Sequence, residues 1–192
     1  MQLHKRDVVD AATTLLDTYG IADMTMRRLA RELDVSPGAL YWHFANKQQL
    51  LGAVADRILE SVGDVSEGWQ NRIAGTCRRL RDALLSHTDG AELVSASFAA
   101  GQSEAMSRIL TRLTDAAADA GVDPTHAELA ARTVVYYVLG FTADEQSRLQ
   151  WDSAGALADE QSVLAANPNA RFAFGLGLLV DGVAAHSVVP PR

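Results

Sequence analysis

The chain has 192 residues, room for one sizeable domain or a small one fused to a medium one, with 48% hydrophobic and 21% charged residues. That balance belongs to a globular protein and excludes a disordered one. Cys77, the single cysteine, excludes an internal disulfide framework and a Cys-based zinc site and reads as a small buried apolar residue. No charged start followed by an apolar stretch marks a signal segment, and the longest apolar run, Phe172 to Val180, is far short of a membrane span. A cytoplasmic protein with no membrane association is therefore expected.

The formal net charge is −7, which is unfavourable for a nucleic-acid binder unless it is unevenly spread. Residues 1–47 hold Lys5, Arg6, Arg27, Arg28, Arg31 and Lys47 against Asp7, Asp10, Asp17, Asp23, Glu32 and Asp34, so this stretch is neutral. All the excess acid lies beyond it, while three arginines fall between positions 27 and 31. The asymmetry permits nucleic-acid binding at one end.

Strand signals are nearly absent and helical periodicity is abundant, so the fold is expected to be all-α. Val8, Ala12, Leu15, Leu16 and Tyr19 line one face of a first helix that ends at Gly20. A short second helix spans about Met26 to Leu33, with Thr25 as its N-cap and Leu29, Ala30 and Leu33 inward. Ser36-Pro37 is a capping hydroxyl followed by proline at the first helical position, and opens a very short helix ending near Phe44. Asn46 caps a fourth helix from Lys47 to about Val62. Further helices are expected near 69–86, 91–100 and 103–120.

Asp123-Pro124 repeats the cap-then-proline signal and opens a long helix to about Arg148. The stretch from 148 to 169 is less regular, and a last helix covers about 170–186. The runs 134–141 and 172–180 are apolar on nearly every face, more than one subunit's core can cover. A four-helix homodimer interface built from the helices near 124–148 and 170–186 is expected, the alternative being that both are fully buried in a monomer core.

Residues 26–44 form a helix-turn-helix pattern. Two short helices crossing steeply need a small residue at their contact, a turn-competent residue between them and apolar residues inside. Ala30, Asp34, and Val35 with Leu40 meet those needs; aspartate tolerates the left-handed conformation better than most residues. The second helix then presents Ser36, Pro37, Gly38, Ala39, Tyr41 and His43 outward or at its start, small enough for close approach to base edges, with a helix N-terminus that favours phosphate. Lys47 stands ready for another phosphate. Tyr41 and Trp42 are helix neighbours that cannot point the same way, and Trp42 is expected to be the inward one.

The run Thr25-Met26-Arg27-Arg28-Leu29-Ala30-Arg31-Glu32-Leu33, then Val35 to Phe44 and Asn46-Lys47, closely resembles the signature of the tetracycline-repressor (TetR) family. Tyr41-Trp42-His43, Leu50-Leu51, Ala83 to His87 with Asp89-Gly90-Ala91, Leu139-Gly140 with Glu145-Gln146, and Phe172 to Leu176 resemble its tetracycline-repressor subgroup. The resemblance implies a subunit of nine or ten helices. A DNA-binding domain would occupy 1–46 and a ligand-binding and dimerisation domain 47–192, whose first helix, 47–62, is the linker. It also implies a ligand-responsive repressor, bound as a homodimer to a palindromic operator.

Carried over by position, Thr25, Met26, Arg27, Pro37, Gly38, Tyr41, His43 and Lys47 are DNA-binding candidates, and Ser36 and Ala39 join them from the face the second helix presents. Arg27 is the best suited to address guanine, because a guanidinium can do so bidentately. Tyr41, His43 and Lys47 suit phosphates.

At the ligand end the chain departs from the subgroup. Val94 falls where the resemblance implies a metal-binding histidine, Thr76 where it implies an asparagine, Leu80 a phenylalanine, Phe98 an arginine, Gly63 a histidine and Leu113 a glutamine. Valine offers no ligand to a hard cation, and an apolar pocket leaves the polar rim of a tetracycline unpaired at roughly 1–3 kcal/mol per buried group. The expected effector is a small, mainly hydrophobic molecule other than magnesium-tetracycline. The ligand-binding candidates are Thr76, Leu80, Val94, Ser97, Phe98, Leu113, Asp144 and Glu145, the last two either a counter-charge to the effector or a solvated helix end.

No metal site or cofactor is expected. His87, His126 and His186 lack partners at metal spacing, and Asp123 with His126 is one pair where a helical metal site needs several ligands. An enzyme sharing the fold would need a nucleophile–base pair, a metal cluster or a phosphate loop, and no such motif is present. A DNA-binding protein indifferent to ligands would have little need of a pocket.

Overall fold

The computed structural model describes residues 3–65, 68–156 and 167–187. Among them the regular elements are helices: α1 (Lys5–Tyr19), α2 (Met26–Glu32), α3 (Pro37–Tyr41), α4 (Lys47–Ile58) with a closing 3-10 turn (Leu59–Val62), α5 (Trp69–Leu85), α6 (Gly90–Ala99), α7 (Glu104–Asp119), α8 (Pro124–Ser153) and α9 (Pro168–Ala185). The one extended pairing described is an isolated bridge, Val122 to Ser187. The all-α expectation is met. The differences are at helix ends: α3 stops earlier than Phe44 and α8 runs past Arg148. Of the less regular stretch expected from 148 to 169, residues 157–166 lie outside the described residues.

Capping explains most of the boundaries. The Thr25, Ser36 and Asn46 side chains accept from the backbone N–H of Arg28 (3.2 Å), Ala39 (3.3 Å) and Gln49 (2.9 Å). Asp123 accepts from Thr125 N–H at 2.8 Å and Asn167 from Ala170 N–H at 3.0 Å, each just before the proline that opens its helix. Asp34 is left-handed, with φ 51°. Val35 N–H reaches Ala30 O at 2.9 Å and Asp34 N–H reaches Arg31 O at 3.2 Å. This is a Schellman ending with aspartate where glycine is usual.

The chain packs as two units: residues up to Ser61 together with Ala83–Ser107, and Val62–Asp82 together with the residues from Arg108 on. The first unit is larger than a reading domain ending at residue 46, because α4 and α6 share its core. Val8, Ala12, Leu16, Leu29, Leu40, Leu50, Val54, Leu84, Leu93 and Val94 are each at most 1% exposed, each large side chain contributing about 1.5–3 kcal/mol of burial.

Three polar contacts register that unit. Asp17 accepts from Thr88 N–H (3.2 Å) and faces His87 Nδ1 at 3.1 Å. Asp89 accepts from Ile21 N–H at 2.9 Å, just past Gly20, whose φ of +76° ends α1. Asp56 on α4 accepts from Ser103 Oγ (2.7 Å) and Ala105 N–H (2.9 Å), capping α7.

Above Asp56, α4 lies so close to the turn before α7 that a Cβ on Gly52 would overlap the Gln102 carbonyl. In the second unit, Ile73, Cys77, Leu80, Leu113, Val135, Val138, Phe172 and Leu176 form the core, and burial pushes the Cys77 thiol up to about 12. That thiol stays protonated and unreactive at neutral pH.

Gly52→Ala is expected to lower stability despite alanine's helix-propensity gain of about 1 kcal/mol, because the obstacle is backbone and overpacking costs about 1–3 kcal/mol. A thermal melt at or above the wild-type Tm would contradict this account of the α4 contact.

Candidate nucleic-acid interface and effector site

The helix-turn-helix is built around Ala30 and Leu40, 1% and 0% exposed. Burial of Met26, Leu29 and Ala30 turns Arg27 and Arg31, one helical turn apart, to the outside, where both are exposed. Neither pairs with a carboxylate among the described residues. Arg28 differs: its Nη1 is 2.9 Å from Asp23 Oδ1 and its guanidinium lies 3.6 Å over the Tyr19 ring.

Of the DNA-binding candidates, Thr25, Ser36, Pro37, Gly38 and Tyr41 are exposed, and Ala39, His43 and Lys47 are half-buried. A Cβ on Gly38 would meet only Ser36 Oγ, at 3.8 Å, so the start of α3 is a low surface that a ligand backbone can approach. Met26 is buried, at 8% exposure, and offers an interface its backbone and not its side chain.

Trp42 corrects the sequence expectation. It is 91% exposed, while Tyr41 is 52% exposed. The inward positions are Leu40 and Phe44, and Phe44 N–H bonds to Leu40 O at 3.0 Å. Residues one turn apart share a face, so the residue midway between them points away. That spacing is present in the sequence, but comparing Trp42 with its neighbour Tyr41 alone leaves it out. Tyr41 and Trp42 thus form an exposed aromatic pair at the end of α3.

The effector candidates divide between the units. In the first, Val94 and Ser97 are 0% and 3% exposed and Phe98 is half-buried. Ser97 Oγ is the one buried side-chain polar atom without a hydrogen-bond partner among the described residues. In the second, Thr76, Leu80 and Leu113 are buried, Asp144 is exposed and Glu145 is 6% exposed.

Glu145 is neither a solvated helix end nor a free counter-charge. Arg81 of α5 grips it in bidentate fashion, Nε to Oε2 at 2.9 Å and Nη2 to Oε1 at 2.6 Å, and its Nη1 donates to Asn169 Oδ1 at 2.9 Å. The guanidinium lies 5.0 Å over Phe172, which packs against Tyr137 and Phe141. Tyr137 Oη donates to Phe172 O at 2.9 Å, and burial raises its phenol above the usual value. Sequence reasoning passed over Arg81, although it sits four residues after Cys77 and three before Leu84, on the inner stripe of α5. No group of three or more metal-ligating side chains occurs among the described residues, and none of their helices is long and apolar enough to cross a membrane.

Removing one member of a buried, bidentate pair strands the other's charge, at about 3–5 kcal/mol. Arg81→Met and Glu145→Gln are each expected to destabilise on that scale. The double substitution should cost much less than the two singles combined, as read by denaturant unfolding; strict additivity would show that the pair is not coupled.

Two family models match the chain: "Bacterial regulatory proteins, tetR family" over residues 8–54 and "Tetracyclin repressor-like, C-terminal domain" over 63–163. The tetracycline repressor class A from transposon 1721 of Escherichia coli is 32% identical over 206 residues, spanning 98% of this chain and 94% of that protein. The crystal structure of Mycobacterium smegmatis BioQ is 63% identical, with a TM-score of 0.90, over 97% of this chain and 100% of that one. A structure of BioQ with its double-stranded DNA operator is 61% identical, with a TM-score of 0.84, over 96% of this chain and 100% of that one.

Proposed function

The chain belongs to the TetR family of transcriptional regulators, and from that premise we propose that it is a homodimeric, ligand-responsive repressor of a palindromic operator. The observation that carries the reading is the α2–α3 surface: Arg27 unpaired and exposed, Tyr41 and Trp42 exposed, and a low, capped start to α3 between them. BioQ, 61% identical, has been seen on its operator, which supports the same use of this surface here. Arg27 would address guanine; Thr25, Ser36, Tyr41, His43 and Lys47 would hold phosphates and set register, with Pro37, Gly38 and Ala39 in close approach.

Dimerisation would use α8 and α9. Leu129, Tyr136, Phe174 and Leu178 are 58–70% exposed, and an apolar groove of about 480 Å³ runs between the two helices. A Cβ at Gly140, Gly177 or Gly182 would meet nothing within 4 Å, leaving space for another helix backbone. A monomer in water seldom exposes an apolar face of this kind.

The effector would be small and mainly hydrophobic, with Val94, Ser97 and Phe98 as the candidate contacts in the first unit and Thr76, Leu80 and Leu113 as those in the second. Buried Val94 supplies no metal ligand, and Glu145 is already committed to Arg81, so the chemistry for magnesium-tetracycline is missing. The orphaned Ser97 hydroxyl is the polar atom an effector would satisfy. The effector acts by binding one conformation of the dimer more tightly than the other.

Selection from a random DNA pool is expected to enrich a palindrome whose half-site centres lie about 34–36 Å apart, or a multiple of that. Arg27→Ala should weaken binding by about 10- to 100-fold and relax one position per half-site. A non-palindromic consensus, or sequence-independent binding at physiological salt, would refute the repressor reading. An effector whose release of DNA strictly required magnesium would refute the pocket reading.

Leu178→Asp is expected to convert a dimer to a monomer in sedimentation velocity while leaving the helical circular dichroism intact. A dimer of unchanged affinity would place the interface elsewhere.

A further inference from the structure

Three arginines stand within one short stretch of the reading head, and their surroundings separate them. Arg27 and Arg31 are exposed and lack a carboxylate partner among the described residues. Arg28 is spent inside the protein. Its guanidinium stacks on Tyr19 at 3.6 Å, its Nη1 meets Asp23 Oδ1 at 2.9 Å, and its backbone N–H is held by the Thr25 cap at 3.2 Å. The side chain is 24% exposed. Tyr19 is the last residue of α1 and Asp23 lies in the turn that follows, so one side chain from α2 ties down both ends of the α1–α2 turn.

We propose that Arg28 is a positioning residue for DNA reading: clamped between Tyr19 and Asp23, it rigidifies the turn that presents Thr25 and Arg27, without itself touching DNA. The inference rests on the reading of α2–α3 as the DNA-contacting surface.

The chemistry requires arginine. A guanidinium is planar, stacks on an aromatic face and donates sideways to a carboxylate at the same time; an ammonium is a point charge that does not do both in this geometry. A phosphate contact makes the opposite demand, since lysine serves it nearly as well. Arg28→Lys therefore separates the two roles. Tyr19 provides a second separation: it offers no cation to a phosphate, yet is half of the clamp. At 50% exposure it can be replaced without opening the core.

The experiment measures affinity for the palindrome selected by the wild-type protein, across a salt series, for Arg28→Lys, Arg28→Ala, Tyr19→Phe, Tyr19→Leu and the Arg28→Ala/Tyr19→Leu double variant. Circular dichroism and thermal melts accompany each variant. Arg28→Lys, Arg28→Ala and Tyr19→Leu are expected to lose about tenfold in affinity with the salt slope unchanged, and the double variant no more than either single, as for groups acting as one unit. Tyr19→Phe keeps the ring and should bind as wild type.

A fall in the salt slope of about 1.8 for Arg28→Ala, one lost phosphate contact per subunit at about 0.9 each, with Arg28→Lys unaffected, would overturn the proposal and make Arg28 a direct contact. Wild-type affinity in Tyr19→Leu would overturn it too. If the wild-type protein enriches no palindrome, the repressor reading fails first and this inference with it. If it does and the Arg28 and Tyr19 variants bind normally, only this inference fails.

Discussion

The first packing unit depends on a side chain that is absent. Gly52 lets α4 lie directly against the backbone carbonyl of Gln102, and four residues later Asp56 accepts from Ser103 and Ala105. One helical turn thus supplies both the space and the hydrogen bonds that fix α4 to the segment between α6 and α7. Because α4 begins at Lys47, immediately after the helix-turn-helix, the constraint also fixes where the reading head can stand within this unit. Asp17 and Asp89 do the same for the end of α1, through Thr88 and Ile21. Short acceptors gripping backbone N–H groups suit this purpose, since they lose little side-chain entropy and leave few alternative geometries.

The second unit is organised by a charge. Burying Arg81 and Glu145 requires that the pair satisfy itself, and it does so through a bidentate fork, with Asn169 taking a further donor. Asn169 lies in the first turn of α9 and Phe172, under the guanidinium, in the next. The ion pair therefore sets the register of α9 against α5 and α8 as much as it neutralises itself. It also bears on ligand chemistry. A carboxylate already held by arginine is a poor partner for a cation or for metal-bound water.

The fold was legible because its boundaries are local. Thr25, Ser36, Asn46 and Asp123 are caps in the structure, and Asp34 takes the left-handed turn. Each of these depends on a few neighbouring residues, so the sequence alone carries them. The family resemblance was legible for the same reason, as a continuous run through α2 and α3. What escaped was nonlocal or depended on phase. Arg81 meets Glu145 across 64 positions, and no local rule pairs them. Trp42 was compared only with its neighbour Tyr41 and not placed by its angle from Leu40 and Phe44. Asp144 and Glu145 looked equivalent as neighbours, yet adjacent helical positions face different surroundings, and one is buried while the other is exposed.

An acidic chain that binds DNA must separate its fields, and here the separation is made residue by residue. Arg6 is 3.6 Å and Arg57 3.4 Å from Asp10, and Arg57 also pairs with Glu60. Arg28 is spent on Asp23, so the cations most closely matched to carboxylates project little positive field outward. Arg27 and Arg31 on α2 and Lys47 at the start of α4 remain for an anionic partner. Coulombic attraction between exposed charges falls off within about 8–10 Å at physiological salt. Carboxylates farther away than that cost this surface little, while an unpaired guanidinium beside a phosphate counts fully. Binding is thus compatible with a net charge of −7 because DNA feels the local arrangement and not the sum. Salt dependence scales with the number of phosphates neutralised, so the few free cations set both the nonspecific attraction and its slope against salt.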